Sequence, residues 1–132
     1  MNSRYIDKVN SLFDGREDKR YGRYGFNRKD YPRIAQFENQ DIGCFFLFPL
    51  GLKNTVELQK LIIYDTNKGY GTKLLHLLCD EADKYQITLW VWPLPDEKSK
   101  KVISLDKLKL WYNKFGFEQG DETFMKRKPN KN

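Results

Sequence analysis

The sequence predicts one α/β or α+β domain, a sheet covered by helices. Short β-rich segments alternate with stretches of helical periodicity, and the 132 residues suffice for one domain but not for two ordinary ones. Aromatic residues make up 15% of the chain, too many for a disordered polymer. A strand, a glycine-bearing turn and an amphipathic helix also follow one another directly at residues 56–85.

The elements are read in chain order. Residues 3–13 carry Tyr5, Ile6, Val9, Leu12 and Phe13 at helical spacing, with Ser3 as the expected cap and Gly15 as the stop. Residues 15–33 (GREDKRYGRYGFNRKDYPR) are charged, aromatic and punctuated by glycine, which predicts a loop with at most one helical turn. Strands follow at 33–38 and 42–48, with a turn at Asn39-Gln40-Asp41, and after Pro49, Gly51 and Asn54 a third strand runs over 56–63. The loop YDTNKGYGT leads into a helix that ends near Tyr85. Its apolar arc is Leu74, Leu75, Leu78, Cys79 and Ala82, opposite Lys73, His76, Asp80 and Asp83. Residues 87–92 (ITLWVW) form a strand stopped by Pro93 and Pro95, and 96–101 a charged loop. Ser104 caps a helix over 105–115, whose inward arc is Leu105, Leu108, Trp111, Tyr112 and Phe115 and whose end is Gly116. Two short strands around Gly120-Asp121 suit a hairpin, and the tail after Lys126 is polar and expected to be loose.

No apolar run reaches the roughly 18–20 residues that span a bilayer, and MNSRYIDKVN holds no signal segment, so a cytoplasmic protein without membrane association is expected. The net charge is +6, with basic residues concentrated at Arg16, Lys19, Arg20, Arg23, Arg28, Lys29 and Arg33 and again after residue 125. Such a field attracts anions without choosing among them. Cys44 and Cys79 lie in apolar surroundings and read as reduced, small hydrophobes. No His/Cys set has metal-ligand spacing, and His76, on the polar arc of its helix, reads as solvated. Trp90, Trp92 and Trp111 read as core or slot walls.

The sharpest local feature is the junction Lys68-Gly69-Tyr70-Gly71-Thr72. A helix start carries unpaired N–H groups and partial positive charge, and glycines let an anion approach the backbone, so this junction suits a pyrophosphate. It lacks the Lys-Ser/Thr ending of a P-loop and the third glycine of the dinucleotide fingerprint.

The run VELQKLIIYDTNKGYGTKLLHLLCDEADKY, then a strand, then LKLWYNKFGFE about forty residues after the glycines, resembles the GNAT-type N-acetyltransferase superfamily over about residues 42–127. Gly69 and Gly71 match the two glycines of that superfamily's Q/R-x-x-G-x-G/A signature, and Tyr112, Lys114, Gly116 and Phe117 match its second motif. Thr66 stands where Gln or Arg is usual, and Leu105 near the place of a frequent Asn. The resemblance implies a mostly antiparallel central sheet with one splayed parallel pair, 56–63 beside 87–92, flanked by helices. Residues 1–132 would form a single acetyltransferase-like domain, with 1–40 as a variable acceptor-side part and 127–132 as a loose basic tail.

It further implies acetyl-CoA as acetyl donor, no metal, and direct attack by a primary amine in a ternary complex. The acceptor is a small molecule or a protein lysine or N-terminus, and the protein a monomer or homodimer. A bulge in the first strand of the pair would free backbone groups near Lys60, Leu61 and Ile62 for the pantetheine and thioester. Asn67, Lys68, Gly69, Tyr70, Gly71 and Thr72 would take the phosphates, with Lys68 and Lys73 adding positive charge. Tyr112 would give a proton to the thiolate. Glu57 would serve as base through water, with Asp41 a weaker candidate. Two other readings stand beside this one. The Arg/Tyr/Phe-rich segment 15–33 could bind nucleic acid by stacking and phosphate contact, or the chain could bind coenzyme A or a partner without catalysis. The basic segment favours an anionic acceptor over a polycationic one.

Overall fold

In the computed structural model, residues 2–65, 68–93, 104–120 and 124–130 are described. Thr66, Asn67, the expected loop at 96–101, Asp121 and the last two residues lie outside them. The order is α1 (Asn2–Ser11), β1 (Arg33–Phe37), β2 (Gln40–Pro49), β3 (Thr55–Ile63), α2 (Tyr70–Lys84), β4 (Thr88–Val91), α3 (Leu105–Asn113), β5 (Glu118–Gln119) and β6 (Met125–Arg127). The six strands form one sheet in the order β1-β2-β3-β4-β6-β5. Every pairing is antiparallel except β3–β4. The expected mixed sheet with one parallel pair is therefore present.

Local chemistry explains most boundaries. Glu38 and Asn39, both with positive φ, make a two-residue hairpin turn, so Gln40 already pairs with Phe37 and the reversal comes one residue earlier than expected. Ser104 accepts a hydrogen bond from the Lys107 N–H at 3.3 Å and starts α3, and Gly116, at φ 95°, closes the turn after it. Ser3 is not a cap: it lies inside α1. The side-chain amide of Asn2 instead reaches the carbonyls of Leu50, Leu52 and Thr55, tying the helix start to the β2–β3 turn. Leu105 is not inward either, being 42% exposed.

The core lies between the sheet and its helices. Tyr5 and Val9 of α1, Leu74, Leu75 and Leu78 of α2, Phe45 and Leu47 of β2, and Val56 and Leu58 of β3 are buried together. The Tyr5 hydroxyl donates to the Leu78 carbonyl at 2.9 Å and locks α1 onto α2. Cys44 and Cys79 are free and buried, and burial pushes each thiol up to about 12, so neither is a nucleophile near neutral pH.

Residues 15–33 form an arm across the other face of the sheet. The arm is anchored by Asp18, which is 3% exposed. Arg20 donates to its carboxylate from Nε and Nη2 at 3.0 and 2.7 Å, and the Tyr64 hydroxyl donates to it as well. Tyr21 stacks on Tyr64, and Tyr24 on Phe46. The bonds from Arg20, ahead of that from Tyr64, hold the Asp18 carboxyl at about 2. As pH falls from about 4, the unfolded chain takes up this proton first. The contribution of Asp18 is thus full above pH ~4 and lost as pH falls toward 2. Urea titrations of the wild type and Asp18→Asn are expected to differ at pH 6 and to converge near pH 2. A pH-independent difference would show that the carboxylate does not hold the arm.

The described part of the tail, 127–130, is tied down. Arg127 is buried and donates to both oxygens of Asp83 at 2.8 and 3.0 Å and to the Phe115 carbonyl at 2.7 Å. The Asn130 N–H also donates to Asp83 at 2.9 Å. Burial pushes the Asp83 carboxyl up, but these donors more than offset it and leave it below the usual range.

Candidate active site

The sheet's parallel pair is short. Thr55↔Thr88 through Leu58↔Val91 are in register, and β4 then ends while β3 continues to Ile63. One cause is local to β3. Phe46 pairs with Lys60 but Leu47 with Leu58, so Gln59 is an extra residue, a bulge that bends the strand. The other is Pro93, which follows β4 closely and cannot donate to a ladder. Among the described residues, the edge of β3 at 59–63 that faces away from β2 therefore has no strand partner. Leu61 and Ile62 lie on this edge, where backbone groups were expected to be free.

At the far end of that edge, α2 begins. Gly69 is its N-cap in the left-handed region, φ 72°, and among the described residues no side chain caps the first N–H groups. A Cβ at Gly69 would meet nothing within 4 Å, so the turn is open on that side. Lys68 is exposed and 3.8 Å from Asp65; Thr72 and Lys73 are exposed on the first turn, and the Tyr70 hydroxyl donates to Gln40 at 2.6 Å. Asn67 falls outside the described residues. A Cβ at Gly71 would lie 3.4 Å from Ile63 Cγ1 and 3.5 Å from Trp111 Cζ2, ordinary van der Waals contact, so only a side chain larger than alanine would press on β3 and α3 there.

Tyr112 projects from α3 into the core, 5% exposed, with its ring against Trp111 and Phe117. Its hydroxyl makes no hydrogen bond among the described residues, and burial raises its pKa, so it stays protonated at neutral pH. Glu57 lies on the opposite face. Its neighbours Val56 and Leu58 are buried in the helix-side core, whereas Glu57 is half-buried and in register with Phe48 and Trp90. Glu57 thus lies one pair before the end of the β3–β4 ladder on the arm face, while Tyr112 is buried in the core on the helix side.

The sequence offered no signal for Gln59, the bulge residue. Its amide donates to Glu57 at 3.0 Å and accepts from the Gly25 N–H at 3.1 Å, linking the carboxylate to the arm. Asp41 is engaged elsewhere, by both guanidinium nitrogens of Arg16. His76 is exposed on α2, as read from the sequence. Trp90 and Trp92 do not wall a core: with Phe124 they form a cluster of stacked and tilted rings, and Trp92 is 38% exposed. The described residues hold no group of side chains suited to a metal ion and no helix long and apolar enough to cross a membrane.

A bulged strand forking from a parallel neighbour, beside a helix that starts at a glycine turn, leaves the sheet open at one point. No protein-family model and no curated protein sequence matches the chain. Solved structures do. A GNAT family acetyltransferase from Elizabethkingia anophelis, with acetyl-CoA bound, superposes at TM-score 0.54 with 18% identity, over 74% of this chain and 75% of that one. An aminoglycoside 6'-N-acetyltransferase complexed with coenzyme A gives 0.54 and 15%, over 77% and 75%. The anti-CRISPR protein AcrVA5 gives 0.55 and 17%, over 72% and 96%. The chain has the fold of the GNAT acetyltransferases.

Proposed function

We propose that this protein is an acetyl-CoA-dependent N-acetyltransferase acting on a primary amine. The observation that supports this most is the fork: β3 and β4 part after Leu58↔Val91, and the freed edge of β3 leads to the open, uncapped start of α2. An extended chain with a diphosphate at one end fits that shape. The edge at 59–63 offers main-chain donors and acceptors to an amide-rich arm, and the α2 turn offers N–H groups and partial positive charge to the phosphates. Two of the three solved structures named above hold acetyl-CoA or coenzyme A.

Bound there, acetyl-CoA supplies an activated acetyl group. The protein's part is to hold and to move protons. Lys60, Leu61 and Ile62 orient the thioester end through the backbone. Gly69, Tyr70, Gly71 and Thr72, with Lys68, Lys73 and the adjoining Asn67, hold the phosphates. Glu57, steadied by Gln59, accepts the proton of the incoming ammonium through water. Tyr112 gives its proton to the departing thiolate from the other side of the sheet. The acceptor enters beneath the arm, on the Glu57 face.

Nucleic-acid stacking is the weaker reading. Tyr21 and Tyr24 spend a face on Tyr64 and Phe46, and Tyr31 carries Lys19 and Arg23 on its ring. The test is ligand-induced stabilisation followed by product detection. Acetyl-CoA at about a hundred times its dissociation constant is expected to add about 2.7 kcal/mol and raise the melting temperature by several degrees. Mass spectrometry of an amine and peptide panel is then expected to show a gain of one acetyl group. No shift with acetyl-CoA would end the reading; a shift with no acetylated product would leave a coenzyme A-binding protein without catalysis.

A further inference from the structure

The tip of the arm is built as a rigid, exposed, basic and apolar point. Phe26 is 76% exposed, the largest exposure among the described large apolar residues. It opens a single 3-10 turn, Phe26–Arg28, in which Asn27 and Arg28 both have positive φ, 59° and 49°. Asparagine tolerates that region, but arginine seldom adopts it, and such strain persists only where surrounding contacts impose it. Those contacts are present. Tyr24 and Asp30 bridge the base of the tip, Tyr24 stacks on Phe46, and the Gly25 N–H is fixed to Gln59. A side chain at Gly25 would press on Asp30 and Phe46 at 3.0 and 3.1 Å. Arg28 and Lys29 follow Phe26 in the chain, exposed, and neither has an ion-pair partner among the described residues; Arg23, also without one, donates to the Tyr31 hydroxyl. Of the other basic residues of the arm, Arg16 and Arg20 are neutralised by Asp41 and Asp18, Lys19 lies over the Tyr31 ring and Arg33 donates to the Gly15 carbonyl.

The tip is also placed. Gly25 bonds to Gln59, and Gln59 bonds to Glu57, so the exposed ring is one residue from a two-bond link to the carboxylate beside the fork. An aromatic ring flanked by arginine is the chemistry that anchors protein interfaces, and unpaired cations select an acidic partner. Resting on the acetyltransferase reading above, we infer that the Phe26 tip docks an acidic surface of a protein acceptor and thereby brings one of its lysines to Glu57. The substrate class is then a protein lysine set among Asp and Glu, not a free small amine.

The test uses three labelled peptides, each with one lysine: flanked by Asp and Glu with a Leu nearby, flanked by Gln and Ser, or flanked by Arg. Fluorescence anisotropy of the pre-acetylated peptides reads docking without chemistry. Thiol release from acetyl-CoA reads turnover of the free-lysine peptides. At low salt the acidic peptide is expected to bind, and to be used, about tenfold better than the neutral one. Phe26→Ala and the double variant Arg28→Glu/Lys29→Glu are expected to abolish that preference while acetyl-CoA affinity and melting temperature stay at wild-type values. Equal binding of the three peptides, or a preference unchanged in both variants, would overturn the inference. So would a uridine oligonucleotide bound more tightly than the acidic peptide and lost in the same double variant, since it would assign the tip to nucleic acid. Failure of acetyl transfer with docking intact would strike the enzymatic reading instead, because the anisotropy arm does not depend on it.

Discussion

Arg127→Ala is expected to cost about 3–5 kcal/mol of unfolding stability, the range for removing one partner of a buried ion pair. The side chain is 6% exposed and the Asp83 side chain 16%, so water cannot take over the broken bonds. The variant would leave the Asp83 carboxylate in a half-closed site with only Asn130 as donor, and the Phe115 carbonyl without its 2.7 Å bond. Three elements loosen at once: β6, which carries Arg127; α2, which carries Asp83; and the segment after α3. Asp83→Asn is expected to cost less, since an amide oxygen still accepts from the guanidinium. Replacing both partners by apolar residues, Arg127→Met with Asp83→Leu, is expected to recover part of the loss, because no charge is then stranded. Urea denaturation of the three variants at neutral pH checks this. A loss below about 1 kcal/mol in Arg127→Ala would mean that the tail is as weakly held as its composition suggests.

Tyr112→Phe is expected to lower turnover about 100-fold, the lower end of what a positioned proton donor contributes. The ring packs on Trp111 and Phe117 and the hydroxyl holds no hydrogen bond among the described residues, so phenylalanine keeps the packing. Affinity for acetyl-CoA and the melting temperature are therefore expected to stay close to wild type. That split separates chemistry from folding: full turnover would remove the proton-donor role, and a collapse of stability would make Tyr112 structural. Glu57→Gln offers a contrast on the other face. Loss of a base depresses turnover most at low pH and is relieved as the acceptor amine deprotonates by itself, so its pH profile should rise more steeply than that of the wild type.

What could be read from the sequence was what neighbouring residues decide. The apolar arc of α2 is periodic, and Ser104 and Gly116 act within their own turns, so these features were legible. The glycine junction was legible too: Gly69 supplies the left-handed turn at the start of α2, and Gly71 follows in the first turn of the helix. Whatever depends on a distant partner was not legible. Lys126 to Asn130 reads as a polar tail until Asp83, 44 residues before Arg127, is seen to claim it. Gln59 looks like an ordinary strand residue, and only its pairing with β2 reveals the bulge. Gly43 drew no attention, yet a Cβ there would lie 2.2 Å from the Ile62 carbonyl oxygen, so β2 and β3 need it to stay in register. The aromatic residues of the arm suggested a stacking surface, whereas the structure lays Tyr21 and Tyr24 on Tyr64 and Phe46, where they fasten the arm.

The diphosphate seat at the start of α2 is tested most directly by calorimetry of acetyl-CoA against the wild type, Gly69→Asn and Gly69→Asp. Both substitutions enter open space, and Asn and Asp tolerate the left-handed φ of 72° better than other side chains, so both should lose a similar, small amount of stability. They differ in charge alone. Wild type and Gly69→Asn should bind within a fewfold of each other, while the Gly69→Asp carboxylate, facing the phosphates, should weaken binding at least tenfold. Equal affinities for the Asn and Asp variants would place the phosphates elsewhere, and with them the whole reading of the fork.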